Sequence, residues 1–150
     1  DILAELGDAV LIYTEKAKKE GIELVYAEPE DLPAVYGDRN RLRQVFINVI
    51  DNAIKYSEKG GLVTVQAILA DENRIEIEVS DTGCGISPED LPKIKTKFFR
   101  ANHNKRGSGI GLAVADEIIT MHSGTLEVFS EQGMGTTVVI MLPVKQEMKK

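Results

Sequence analysis

Three polar side chains recur along one side of a helix that the hydrophobic spacing predicts for about residues 38–56. Because successive helical residues turn by about 100°, Asn48, Asn52 and Lys55 fall within about 60° of one another. The apolar stripe of the same helix is centred about 140° away from Asn48. Amide oxygens can reach a hydrated Mg²⁺, and a lysine ammonium offers a point charge to phosphate. A solvated helix face has the same pattern, so the helix alone leaves both interpretations open.

A second candidate lies where a predicted strand ends, at Asp81-Thr82-Gly83-Cys84-Gly85. A carboxylate at a strand end can accept a hydrogen bond from an exocyclic amine. Glycines beside it let a flat ring approach the backbone, since no Cβ stands in the way. An ordinary Asp-Gly turn has the same composition, so this segment alone does not establish a ligand site.

A third candidate is the glycine-rich segment Gly107-Ser108-Gly109-Ile110-Gly111-Leu112, immediately before a predicted helix. Free N–H groups and the dipole at a helix N-terminus attract anions, and glycines let a phosphate come close. The segment is not a Walker A loop, because no Gly-Lys-Ser/Thr follows. It also follows an irregular stretch rather than a strand, so it does not match a dinucleotide fingerprint. Alone it is weak evidence for phosphate binding.

Hydrophobic periodicity predicts the elements that must position these residues. Spacings of three and four predict three helices, at about residues 2–20, 38–56 and 109–123. Short apolar or alternating runs predict five strands, at about residues 22–26, 63–69, 75–79, 125–130 and 136–142. We therefore predict an α+β fold, a two-layer α/β sandwich with three helices on one face of a mixed, mostly antiparallel five-stranded sheet. Poor periodicity between residues 86 and 106 predicts an irregular segment, which in a compact domain is typical of a lid over a ligand.

Composition limits the function classes. The 150 residues fit a single domain, and the net charge is 18 − 24 = −6. Without a basic field, without Trp and with eight other aromatic residues, the chain is not expected to bind nucleic acid as its main ligand. The single cysteine, Cys84, excludes an internal disulfide. No apolar run approaches the ~20 residues of a membrane span, and because the chain begins at Asp1 we expect it to be a fragment of a longer protein.

The order and spacing of these segments resemble the catalytic and ATP-binding domain of sensor histidine kinases, in the wider family shared with gyrase, mismatch-repair ATPases and heat-shock chaperones. Residues 38–45 and 48–57 resemble the N box, and residues 81–85 the G1 box. Phe98-Phe99-Arg100 resembles the F box, and residues 107–112 the G2 box. Residues 133–137 resemble the closing glycine-threonine segment, so the resemblance covers essentially the whole chain. It implies a domain over residues 1–145 with a lid at about 86–108, followed by a frayed tail at 146–150.

The resemblance implies an ATP site between the second helix and the lid. It assigns the adenine amino group to Asp81 and Mg²⁺ to Asn52. The residues that it implies for catalysis are Asn48, Lys55 and Arg100. The nucleotide-binding set that it implies comprises Asn48, Asn52, Lys55, Tyr56, Asp81, Gly83, Gly85, Ile86, Phe98, Arg106, Gly107, Ser108, Gly109, Ile110, Gly111, Leu112 and Thr137.

The resemblance also implies a reaction, transfer of the ATP γ-phosphoryl group to a histidine on a separate dimerisation domain. Asn48 stands where the gyrase and chaperone branches carry a glutamate base, and an amide cannot take a proton, so transfer is favoured over hydrolysis. Asp51 lies about 100° round the helix from Asn52 and is expected to point elsewhere. Neither His103 nor His122 has the helical context of a phosphoacceptor, and His122 is expected to be structural. The chain is therefore expected to bind ATP without phosphorylating itself.

Partners and setting follow from the same resemblance. A two-component sensor histidine kinase would reach its response regulator through the dimerisation domain, and this fragment is expected to be monomeric. The domain would face the cytoplasm, where ATP is, whether or not the full-length protein lies in the cell membrane. Two alternatives remain open: a protein serine kinase of the anti-sigma type, and a regulatory module that binds ATP without catalysis.

Overall fold

The computed structural model of the chain describes residues 2–27, 32, 33, 35, 37–83, 89, 111–131 and 133–144. Within them it has three helices, α1 (Ile2–Lys19), α2 (Arg39–Lys55) and α3 (Gly111–Met121). The same residues form five strands, β1 (Glu23–Ala27), β2 (Leu62–Asp71), β3 (Arg74–Asp81), β4 (Thr125–Glu131) and β5 (Gly135–Pro143). Each predicted element is confirmed, with ends that differ by one or two residues.

The five strands form one sheet in the order β1-β2-β3-β5-β4. β1 runs parallel to β2, because α2 connects them, and the other three pairings are antiparallel. A tight turn joins β2 to β3, where the Asp71 carboxylate accepts the Asn73 backbone N–H at 2.8 Å. The predicted mixed, mostly antiparallel sheet is confirmed, and β3 is its central strand.

One face of the sheet carries the helices, and the core lies between the two layers. Alternate residues of β3 and β5 are buried there, with Ile75, Ile77 and Val79 on β3. The helix stripes supply the other side of the core. The buried stripe of α2 consists of Leu42, Val45, Phe46, Val49, Ile50, Ala53 and Ile54. None of the helices in the described part of the chain is long and apolar enough to cross a membrane.

His122 fixes the direction of α3 relative to α2. Its Nε2 accepts the backbone N–H of Asp38 at 3.0 Å, and its Nδ1 lies 2.8 Å from the Ile118 carbonyl oxygen. With Nε2 as acceptor, the neutral ring carries its proton on Nδ1 and donates it to that carbonyl. Since Asp38 is the N-cap of α2 and His122 follows α3, the two packed helices run antiparallel. The predicted structural role of His122 is confirmed.

Candidate nucleotide-binding site

The polar face of α2 is built as the helical spacing predicts. Asn48, Asn52 and Lys55 are half-buried, while the residues of the apolar stripe on the other side are buried. The Asn48 side-chain oxygen accepts the Gln44 Nε2–H at 2.8 Å, one turn earlier. Asp38 begins the helix by accepting the Arg41 backbone N–H at 3.1 Å. This N-cap sets where α2 starts, and the helical repeat from there determines which residues lie on its polar face.

The N-terminus of α3 reaches the same part of α2. From His122 back to Gly111 the chain covers about 16 Å of helix axis, at about 1.5 Å per residue. The same length counted from Asp38 along the antiparallel α2 ends near the turn that carries Asn48 and Asn52. This estimate puts the positive end of the α3 dipole level with Asn48 and Asn52 along α2, an arrangement that suits an anionic ligand.

Asp81 ends the central strand β3 with its carboxylate on the helix-facing side of the sheet, in phase with the buried Val79. The Gly83 backbone N–H donates to its Oδ1 at 2.8 Å. Burial raises the pKa of the Asp81 carboxyl, and the Gly83 and Thr136 backbone N–H groups partly offset that increase. The fold thus holds a hydrogen-bond acceptor in a poorly solvated place, which is a common feature of functional sites.

Gly83 joins this carboxylate to the end of α2. It is buried, and a Cβ built on it would overlap the backbone carbonyl oxygen of Tyr56, the C-cap of α2. The intervening Thr82 is tied to β2, because its hydroxyl accepts the Leu62 backbone N–H at 3.0 Å and its own N–H donates to the Leu62 carbonyl. Only glycine allows this approach, which brings Asp81 and Tyr56 to one end of the sandwich.

An open cavity of about 480 Å³ adjoins this turn. Its volume is in the range of small-molecule sites. Its lining includes Gly83 of the predicted nucleotide-binding set but neither Asn52 nor Asp81, so the predicted metal ligand and the predicted adenine acceptor do not line it. The lining residues are Glu58, Lys59, Gly60, Gly61, Thr82, Gly83 and Gly133.

The structure does not bring Thr137 into this group of residues. Its hydroxyl lies 2.7 Å from that of Ser80, on the sheet face away from the helices. Strand residues alternate between faces, so the neighbouring Thr136, which pairs with Asp81, lies on the helix-facing side. The sequence alone contains this assignment, because Thr136 lies two residues before the apolar Val138 and four before Ile140, on the same face of the strand. Thr136 is the residue beside Asp81 that was missing from the predicted set.

We predict different outcomes for the two neighbouring threonines. Thr136→Val removes a hydroxyl on the face of Asp81 and is expected to weaken ATP binding about three- to tenfold, the effect of one lost hydrogen bond. Thr137→Val removes an equal group from the opposite face and is expected to change the affinity less than twofold. Calorimetric titration of both variants makes the comparison, and an equal loss in both would contradict the assignment of Thr136.

Part of the predicted site lies outside the described residues. Gly111 is the first residue of α3, and Leu112 is buried in the core behind it. Leu112 therefore packs in the core, whereas Gly111 lies at the N-terminus of α3. The predicted site residues outside the described part are Gly85, Ile86, Phe98, Arg100, Arg106, Gly107, Ser108, Gly109 and Ile110.

Lys55 has a partner that the sequence analysis did not assign. Its Nζ lies 3.0 Å from Oδ2 of Asp51, one turn earlier on α2. The other oxygen of the same carboxylate lies 3.0 Å from Nζ of Lys16 on α1. Asp51 does turn away from Asn52, as predicted, but it turns toward the lysine expected to contact phosphate.

Comparison with known proteins places these features in a family. Residues 37–146 match the family described as histidine kinase-, DNA gyrase B-, and HSP90-like ATPase. The chain belongs to this family. The matched residues include both α2 and the end of β3, so the candidate site lies within the part that defines membership.

Individual members of this ATPase family resemble the chain over most of its length. An adaptive-response sensory kinase, SasA of Synechococcus elongatus, is 39% identical over 132 residues, which are 87% of this chain and 34% of that protein. The mycobacterial sensor histidine kinase MprB has the same fold, with a TM-score of 0.81, 28% identity and 98% of each chain covered. Full-length ShkA, solved in complex with AMPPNP, gives a TM-score of 0.84 at 30% identity over 99% of this chain and 31% of that one.

The lengths of these proteins differ from that of the chain. The chain spans about a third or less of the curated relatives that it matches first. It matches nearly the whole of the MprB structure, and the three helices and five-stranded sheet formed by its described residues have the fold of histidine kinase catalytic domains.

Proposed function

We propose that the chain is the ATP-binding catalytic module of a two-component sensor histidine kinase, which supplies the γ-phosphoryl group of ATP to a histidine on a separate dimerisation domain. One observation carries the proposal. Gly83 brings the Asp81 carboxylate against the C-cap of α2, in a fold shared with histidine kinase catalytic domains. Helix geometry puts the N-terminus of α3 level with Asn48 and Asn52 of α2. Together they supply an acceptor for an amine and positive groups for phosphates.

Each part of ATP has a matching group in this arrangement. The Asp81 carboxylate accepts a hydrogen bond from the adenine amino group, and the Gly83 backbone N–H beside it holds that carboxylate in place. The phosphates lie along α2 toward the N-terminus of α3, where free backbone N–H groups and the helix dipole stabilise negative charge. Lys55 adds a cation at the same end of α2.

The donor set on α2 also fits a magnesium ion. Mg²⁺ prefers oxygen ligands, keeps several waters, and is commonly held by one or two protein groups together with substrate phosphates. The amide oxygen of Asn52 is such a ligand, and Asn48 lies one turn before it on the same face. When bound, the ion neutralises charge on the phosphates during transfer.

The same face disfavours hydrolysis. Phosphoryl transfer relies on positioning and charge neutralisation, whereas hydrolysis also needs a group that orients or deprotonates water. Asn48 is an amide and its oxygen already accepts a hydrogen bond from Gln44. Asp51 is a carboxylate but is engaged by two lysines. Neither residue is available as a base, so we propose a protein acceptor in place of water.

We predict that a non-hydrolysable ATP analogue binds one to one, and more tightly with Mg²⁺ than without. Asn52→Ala is expected to abolish most of the Mg²⁺ dependence, because it removes the proposed ligand, while Asn73→Ala in the β2–β3 turn is expected to keep it. Calorimetric titration with and without Mg²⁺ measures both variants. Absence of binding by the unmodified chain at millimolar nucleotide would refute ATP binding.

The acceptor is tested by adding the dimerisation domain that we propose to precede this module in its full-length protein. Labelled ATP is expected to give an acid-labile, base-stable phosphoryl group on that domain, which is the behaviour of phosphohistidine. An acid-stable product would favour the anti-sigma type of serine kinase instead, and binding without any transfer would favour a regulatory module. We further propose that a response regulator is reached through that same domain, and that the module works on the cytoplasmic side.

A further inference from the structure

Three charged groups form a cluster on the flank of α2 that faces α1. The two oxygens of Asp51 each contact one lysine at 3.0 Å, with Lys16 on one side and Lys55 on the other. The side chains are 45% exposed at Lys16, 21% at Asp51 and 28% at Lys55, so the shared carboxylate is the least exposed of the three. The Asp51 carboxylate therefore forms ion pairs with Lys16 of α1 and with Lys55 of the proposed phosphate site at the same time.

The contact with α1 is more than a chance meeting of surface charges. The Lys16 ammonium also lies 5.5 Å from the centre of the Tyr13 ring, one turn earlier on α1. The hydrogen bond to Asp51 raises the pKa of Lys16, and burial together with the charge of Asp51 raises the pKa of Tyr13. Asp51 contributes to both shifts, as the largest cause at Lys16 and as the second after burial at Tyr13.

Sharing this carboxylate has a consequence for Lys55. An ammonium that is paired with Asp51 must give up part of that contact before it can meet a phosphate, so the pair opposes nucleotide binding. Lys16 competes with Lys55 for the same carboxylate, so it weakens the Asp51–Lys55 pair and makes Lys55 easier to release toward a phosphate. The two partners of Asp51 should therefore affect phosphate binding in opposite directions.

We propose that Asp51 is a positioning residue that restrains Lys55 beside the nucleotide site, and that Lys16 of α1 sets the strength of this restraint. The inference rests on the proposed ATP site and adds a control on it from α1, which contributes no residue to that proposed site. Any displacement of α1 that separates Lys16 from Asp51 would leave Lys55 more firmly held and lower the affinity for ATP.

The test is a set of calorimetric titrations of the 150-residue chain at low ionic strength, with a non-hydrolysable ATP analogue and with adenosine. Asp51→Asn is expected to tighten binding of the ATP analogue about three- to fivefold, and Lys16→Gln to weaken it about twofold, in line with partly exposed ion pairs. Adenosine, which has no phosphate, is expected to bind both variants as it binds the unmodified chain. A purely structural role for the cluster would instead change the affinity for both ligands.

A double-mutant cycle with Lys55→Met separates restraint of Lys55 from the field of a nearby charge. If Asp51 acts through Lys55, neither Asp51→Asn nor Lys16→Gln changes the affinity once Lys55 is absent. Persistence of both effects in the Lys55→Met background would overturn the proposal in favour of a through-space field. Lys16→Gln alters an exposed position and keeps the test available should Asp51→Asn not fold.

The surface pair Asp71–Arg74 provides the matched control. Like the Asp51–Lys55 pair, it is formed within one local segment, with 2.7 Å between Arg74 Nη2 and Asp71 Oδ2, but it lies at the turn between β2 and β3. Asp71→Asn is expected to leave the affinities for both ligands unchanged. Failure of the unmodified chain to bind the analogue would refute the ATP site itself, whereas binding with no response to Asp51→Asn would refute only the restraint.

Discussion

Replacing Asp81 by asparagine is expected to lower the affinity for ATP by about five- to 150-fold. The asparagine keeps the shape but can turn a donor toward the adenine amino group, and a mispaired buried polar group costs about 1–3 kcal/mol. The loss should appear equally with ATP, ADP and adenosine, because it concerns the base rather than the phosphates. Calorimetric titration with the three ligands measures it. An unchanged affinity in a folded variant would remove Asp81 from the site.

The same substitution is expected to raise the stability of the ligand-free chain at neutral pH. Burial raises the pKa of Asp81 in the folded state above the usual value of 3.8, so the folded chain holds this proton more tightly than the unfolded chain does. Stability therefore falls as the pH rises from about the usual value through the raised one, and the penalty is complete above it. The asparagine side chain of the variant does not ionise and avoids the penalty, so the difference in melting temperature should shrink as the pH falls below about 4.

Asp71→Asn offers a control for which the expected change in stability is the opposite. In the unmodified chain, hydrogen bonds with Arg74 and with the Asn73 backbone lower the pKa of the Asp71 carboxyl in the folded state. A lowered pKa stabilises the fold above the usual value, and that contribution is lost as the pH falls through the lowered one. Asp71→Asn should therefore lower the melting temperature at neutral pH and leave ATP binding unchanged. If both variants shifted the melting temperature in the same direction, burial of the Asp81 carboxylate would not explain the shift in Asp81→Asn.

Most helices and strands could be predicted from the sequence, because each depends on residues that are near one another in the chain. The stripe of α2 and its N-cap, Asp38, follow from residues within a few positions of one another. The β2–β3 hairpin follows from alternation on either side of a polar turn. Which strands become neighbours depends instead on long-range packing, and the order with β5 between β3 and β4 was not predicted.

The site was predicted less completely, for two reasons that differ in kind. The pairing of Asp51 with Lys55 is an i,i+4 contact that helical geometry contains, and a search for opposite charges at that spacing finds it. The contact of Asp51 with Lys16 joins residues 35 positions apart. It depends on how α1 lies against α2, which no local pattern in the sequence reveals.

Gly83→Ala is expected to lower both stability and ATP affinity, the second by at least tenfold. The added methyl group would overlap the backbone carbonyl oxygen of Tyr56, and backbone at the end of a helix cannot turn aside as a side chain can. Overpacking of this kind costs about 1–3 kcal/mol, or about 3–10 °C in melting temperature for a domain of this size. Relief requires Asp81 and the end of α2 to separate, which also strains the Gly83 N–H to Asp81 hydrogen bond.

Gly7→Ala distinguishes this effect from the general cost of replacing a glycine. Gly7 lies within α1, and a Cβ there would meet Cε2 of Tyr26 at 3.9 Å, an ordinary contact. Alanine is the better helix former, so Gly7→Ala is expected to stabilise the chain by about 0.5–1 kcal/mol and to leave ATP affinity unchanged. Thermal unfolding with and without the ATP analogue measures both variants. If Gly83→Ala kept full affinity, the contact between Gly83 and Tyr56 would not be what holds the adenine and phosphate ends of the site together.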